Sequence, residues 1–240
     1  MPETETIVTM LGLMLASAVQ AGTGFGFALL AIPFLMFWHD LPTSIVIISI
    51  AGGISTTQAS IRDRHYIDIP LVVTYSAAAL IGMPLGVLLL QKMSADLMNA
   101  IVGVAVLMSV AALHYGHKLP GRSSTHYAAG LLSGTMMTST GINGPPVVIA
   151  LHSANLGQRA FRGSLSLIFT IHRLCALLML WWSSLLHWEG IRLALLGLPA
   201  ILIGWELGNQ VFIRLDQARF KRIVEVMLVL SAIACLYRAF

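Results

Sequence analysis

Charge is what this chain has least of. Only 10% of its 240 residues are Asp, Glu, Lys or Arg, against roughly 25% in a soluble domain. That scarcity excludes a conventional solvated surface, and with 57% hydrophobic residues it excludes a soluble fold altogether. Cysteine is nearly absent. Cys175 and Cys235 both fall inside apolar runs, so they give neither a disulfide framework nor metal-ligand spacing and read as packing residues. The N-terminus, Met1-Pro2-Glu3-Thr4-Glu5-Thr6, lacks the basic stretch of a cleavable signal, so the first apolar segment is expected to be retained. Catalytic signatures are missing too. There is no His-Glu-x-x-His zinc motif, no phosphate-binding Gly-x-x-x-x-Gly-Lys-Ser/Thr loop and no pair of intramembrane aspartates. Leu131-Leu132-Ser133-Gly134 lacks the first glycine of an intramembrane serine-protease site. An enzyme is therefore not expected, and no cofactor or metal is implied. The net charge of +4 is small and sits in short loops, which speaks for helix orientation in a bilayer and against a nucleic-acid partner.

Apolar runs of spanning length fill the rest. Eight hydrophobic segments are read, at about 7–38, 43–60, 68–91, 95–114, 126–152, 163–186, 190–210 and 220–239. They form two repeats, residues 1–117 and 118–240, divided by His117-Lys118-Leu119-Pro120-Gly121-Arg122. Residues 81–113 align without gaps on 203–235, and Gly82/Gly86 falls on Gly204/Gly208. This Gly-x-x-x-Gly spacing allows close helix approach, within one chain or between copies in a homo-oligomer; the sequence leaves both open.

The first segment of each repeat is broken by glycine, at Gln20-Ala21-Gly22-Thr23-Gly24-Phe25-Gly26 and at Thr138-Ser139-Thr140-Gly141-Ile142-Asn143-Gly144-Pro145-Pro146. A break frees backbone groups that lipid cannot satisfy, so it survives only when packed in protein or lining a cavity. Matched breaks in two halves point to a transporter's substrate site. Basic residues arbitrate the topology. With eight crossings they split six against seven between the two sides; with the broken segments re-entrant, ten collect on one side and Lys92, Arg192 and Arg238 on the other. Cytoplasmic loops collect Lys and Arg. The expected fold is thus an all-α polytopic membrane protein of two inverted repeats, each of three spans and one re-entrant hairpin with half-length arms, and with both termini outside.

In this arrangement the tips meet near the bilayer midplane, and a half-helix starts after each one. Helix N-termini attract anions through unpaired N–H groups and the macrodipole. The expected substrate-binding residues are Gln20, Gly22, Thr23, Gly24 and Gly26 at the first tip, and Thr138, Ser139, Thr140, Gly141, Asn143, Gly144 and Pro145 at the second. Glu206, deep in the seventh segment, is costly in a membrane and is read as a proton-coupling candidate. Arg173 is read as lining the substrate path or pairing with Glu206, and His172 beside it as a packing histidine. Arg159 and Arg162 follow the second tip, where they draw anions or anchor the cytoplasmic face. Trp181, Trp182, His187 and Trp188 read as an outer interfacial belt.

Gly22-x-Gly24-x-Gly26 with Pro33, and Gly141-x-Asn143-Gly144-Pro145-Pro146 with Arg159-Ala160-Phe161-Arg162, resemble the sulfite exporter TauE/SafE family over nearly the whole chain. The resemblance implies a multi-pass transporter of small anions, such as sulfite or organosulfonates, in the bacterial inner membrane, exporting with the proton motive force. Thr23, Phe25 and Asn143 stand where many members carry glycine, so sulfite itself does not follow. The partners expected are a small anion and the lipid bilayer. The rival readings are a passive anion channel and, from another class, a membrane enzyme or scaffold subunit.

Overall fold

The computed structural model describes residues 2–23, 26–115, 122–214 and 217–239. Among these residues it is helical with no strand: α1 (Pro2–Thr23), α2 (Phe27–Leu35), α3 (Leu41–Arg62), a 3-10 turn (Arg64–Tyr66), α4 (Ile69–Lys92), α5 (Ala95–Tyr115), α6 (Ser123–Thr140), α7 (Gly144–His152), α8 (Gln158–Trp182), α9 (Trp188–Leu196), α10 (Leu198–Arg214) and α11 (Gln217–Ala239). Local chemistry sets the boundaries. Asp68 caps α4, its carboxylate accepting from the Leu71 N–H at 3.1 Å with Pro70 in the first turn. Gly141 ends α6 in the left-handed region at φ 75°, a conformation that costs any L side chain.

Four described helices are long and apolar enough to cross a bilayer: α1 (over Thr4–Ala21), α3, α4 and α8. The seventh segment, read as one run, is two helices bent by 45°. The cause is Gly197-Leu198-Pro199, where proline supplies no N–H to continue the ladder. The half-length arms are a second correction. At 22 residues α1 is about 33 Å long, and α6 has 18 residues. Only α2 and α7, nine residues each, are half-length. Each broken segment is a long arm followed by a short one that packs back on it.

The chain divides into two compact units that draw on both sequence repeats. Unit 1 is Met1–Gly52, Ser94–Val110 and His187–Phe240; unit 2 is Gly53–Met93 and Ala111–Leu186. In unit 2 the long arm α6 lies against α4. A Cβ built on Gly82 or Gly86 would collide with the Leu131 or Thr135 carbonyl of α6, and one on Gly130 or Gly134 would collide with α4 backbone at Tyr75 or Ala79. Thr135 and Thr138 donate to the Gly82 and Met83 carbonyls at 3.0 and 2.7 Å. In unit 1 the long arm α1 lies against α10 in the same way. Gly204 and Gly208 meet the Met14 and Ala18 carbonyls, and Ser17 donates to the Ile201 carbonyl at 2.7 Å. The Gly-x-x-x-Gly pairs therefore pack within the chain. Each joins the third segment of one repeat to the broken segment of the other.

Candidate functional site

At the first break α1 ends at Thr23 and α2 starts at Phe27; at the second α6 ends at Thr140 and α7 starts at Gly144, and each short helix has nine residues. In unit 1, Gly26 has φ 99°, a backbone only glycine adopts freely, and α2 follows with Phe27 to Pro33 all buried. Gln20 comes before this break on α1. It is 4% exposed, and its Oε1 has no hydrogen-bond partner. Gly24 lies outside the described residues; Gly22 and Thr23 complete the last turn of α1.

The break in unit 2 is built from side chains. Thr138, Ser139, Thr140, Gly141 and Asn143 are buried, and Gly144 and Pro145 are half-buried. The Thr140 hydroxyl donates to the Met136 carbonyl at 2.8 Å and accepts from the Ile142 N–H at 3.3 Å. With Thr138 bonded to Met83, both threonine hydrogens go to backbone carbonyls, so they hold the turn in shape. Ser133 on α6 donates to the Asn143 carbonyl at 2.8 Å, and its oxygen lies 3.3 Å from His172 Nδ1. Asn143 Nδ2 is 3.5 Å from the same nitrogen. His172 is completely buried, and its Nε2 makes no hydrogen bond. A packing histidine would have both nitrogens satisfied, so the sequence reading of His172 misses its main feature.

Arg173 is 3% exposed in the middle of a span-length helix. It donates to the Thr56 hydroxyl of α3 at 3.3 Å, and Thr170 donates to the same oxygen at 3.1 Å. The structure thus brings Ser133, Asn143 and His172 together at the second break, while Arg173, the next residue on α8, is buried in the same unit against Thr56.

The other charged candidates lie elsewhere. Glu206 is exposed on α10, on the side that carries Leu202 and Ile203, and accepts from Gln210 at 3.0 Å. Burial within the protein, the premise for making it a proton carrier, does not hold. Arg162 donates to Asp63 at 2.7 Å, and this hydrogen bond holds the Asp63 carboxyl below its ordinary range despite burial acting the other way. Arg159 stacks on the Tyr66 ring, 5.4 Å from its centroid, and donates to its hydroxyl at 3.1 Å. Both arginines fasten the start of α8 to the turn after α3. Trp181, Trp182 and Trp188 are exposed, as an interfacial belt requires. Among the described residues no cluster of His, Cys, Asp or Glu is placed to hold a metal ion.

The sulfite exporter TauE/SafE family model matches residues 9–235. No curated protein and no solved structure matches the chain. A family match over almost the whole length settles membership: the chain belongs to the sulfite exporter TauE/SafE family, a family of membrane anion exporters, and is a multi-pass membrane protein.

Proposed function

We propose, from that membership, that the protein is a secondary transporter that exports a small anion, sulfite or an organosulfur anion, across the inner membrane and couples this to the proton gradient. The observation that carries the reading is the buried pair of Asn143 and His172 at the second break, with the buried cation Arg173 next to His172 along α8. A membrane-embedded cation marks a path for charge. A helix starting at Gly144 adds a positive dipole end in the same unit. On this reading Asn143 and the Gly144 and Val147 N–H groups at the start of α7 contact the anion, and Arg173 supplies the attracting charge. The termini lie on the periplasmic side, and the 39–42 and 153–158 loops lie on opposite faces.

Flux in proteoliposomes tests the reading. Sulfite, sulfate, thiosulfate and small sulfonates are offered with and without a pH gradient. Accumulation of one anion driven by the gradient is the expected result and names the substrate. Flux indifferent to the gradient makes the protein a passive channel; no flux with any of them removes this substrate class.

A further inference from the structure

We propose that His172 is the titratable residue of the anion site in unit 2, so that anion affinity there depends on the protonation of its ring. The inference rests on the reading of this site as an anion site.

The Ser133 hydrogen bond favours one neutral tautomer of the ring. Ser133 has one hydroxyl hydrogen, and it goes to the Asn143 carbonyl at 2.8 Å. Toward His172 Nδ1, at 3.3 Å, the serine oxygen can then only accept, so Nδ1 carries the hydrogen. Asn143 Nδ2, also a donor, lies at 3.5 Å, too long to reverse this assignment. A neutral imidazole has one N–H and one lone pair. The lone pair is therefore on Nε2, the atom that is fully buried and makes no hydrogen bond. A proton from water can be added at Nε2 without breaking any of these hydrogen bonds.

The new charge would stand beside Arg173, the next residue along α8. Two cations in a low-dielectric layer oppose each other, and an anion at the break offsets both. By linkage, whatever the anion does for proton affinity the proton does for anion affinity. Few other titratable groups face the ring from the elements packed on α8. On α4 and α6, the Tyr75 hydroxyl is engaged with His126 Nδ1 at 2.7 Å. On α7, His152 is exposed and stacks on Phe161. Next to the 3-10 turn, Asp63 is held by Arg162. Cys175 on α8 is half-buried.

The test is equilibrium binding of ethanesulfonate and of thiosulfate to the full chain in nanodiscs, from about pH 5 to about pH 9, the range in which histidine switches charge. Neither probe changes charge over that range, unlike sulfite, so a pH effect reports on the protein. The wild type is expected to lose up to about tenfold in affinity per pH unit as the linked proton is lost. His172→Asn keeps an amide near the Nδ1 position but takes no proton; it should bind with an affinity nearly independent of pH. Glu206→Gln should keep the wild-type slope. A His172→Asn variant with the wild-type slope, or a slope abolished by Glu206→Gln instead, overturns the proposal while leaving the anion site standing. A wild type that binds with pH-independent affinity does the same. Should the folded wild type bind neither probe at any pH, the anion-site reading fails and the proposal falls with it.

Discussion

The two broken segments share a layout and differ in chemistry. Each has a long arm, a left-handed glycine (Gly26 just before α2, Gly141 just after α6) and a buried or half-buried nine-residue helix. At the first break, the residues opening α2 are Phe27, Ala28 and Leu29, all carrying N–H groups, and the nearby polar side chain is the neutral Gln20. At the second, Pro145 and Pro146 remove two of the N–H groups at the start of α7. Asn143 and His172 stand there instead, with Arg173 buried in the same unit. The two segments thus share a way of interrupting a helix and differ in the groups they present: backbone donors at one, side-chain donors at the other. On the proposed reading the shared part explains the fold, and the differing part would carry selectivity and coupling.

The largest effects should strike what the units share. Gly86→Leu and Gly208→Leu would each drive a side chain into a facing carbonyl, an overpacking cost of roughly 3 kcal/mol or more. Both variants are expected to lose the monodisperse peak in detergent size-exclusion chromatography. Loss in only one would break the equivalence of α4–α6 and α1–α10. Next comes the difference between the breaks. Arg173→Gln should cut anion flux by about tenfold or more, as hydrogen bonds to charged groups are the strong ones, while Gln20→Leu should cost no more than roughly threefold. Equal losses would mean that the first break contributes as much as the second. Gly26→Ala and Gly141→Ala should then destabilise alike, by about 1–2 kcal/mol each, seen as a lower melting temperature. Gly144→Ala, whose new methyl would meet only Phe169 at 3.7 Å, should change stability by no more than about half a kcal/mol.

The smallest effect belongs to a feature found in unit 2 alone. Asp63→Asn removes the Arg162 pair, whose arginine side chain is 47% exposed, and exposed pairs contribute little. A fall of about 1–3 °C is expected, shrinking in high salt. The sign with pH follows from the lowered Asp63 value. The stabilisation is present above the unfolded value of 3.8 and is lost as pH falls through the folded one. Acid should therefore erase the difference between wild type and variant.

The helices were legible wherever an apolar run had length and clear ends, and the positions of the two breaks were legible from their glycines. The partners of those helices were not. Gly82/Gly86 announces a close approach but not to which helix, and the answer, the long arm of the other repeat, is a fact of tertiary packing. Glu206 shows the limit of reading depth without direction. Its place along α10 is evident from the sequence, but whether it faces inward with Ile201 and Gly204 or outward with Leu202 and Ile203 depends on where α1 lies. His172 was undervalued for a related reason. An unsatisfied nitrogen is a property of the surrounding groups, here the commitment of the Ser133 hydrogen to Asn143, and no spacing in the chain encodes it. Gly197-Leu198-Pro199 is the one signal that was present in the sequence and passed over inside a long apolar run.

The reciprocal docking of long arms also dictates an order of events during synthesis. Thr135 and Gly82 are 53 residues apart, so α6 meets α4 soon after it leaves the ribosome. Ser17 and Ile201 are 184 residues apart. At roughly 5–20 residues per second, α1 is made on the order of 10–40 s before its partner exists. The α4–α6 core of unit 2 can close while α10 is still untranslated. The first arm to enter the membrane is thus among the last to be packed, and it must be sheltered by lipid or insertion machinery through most of translation.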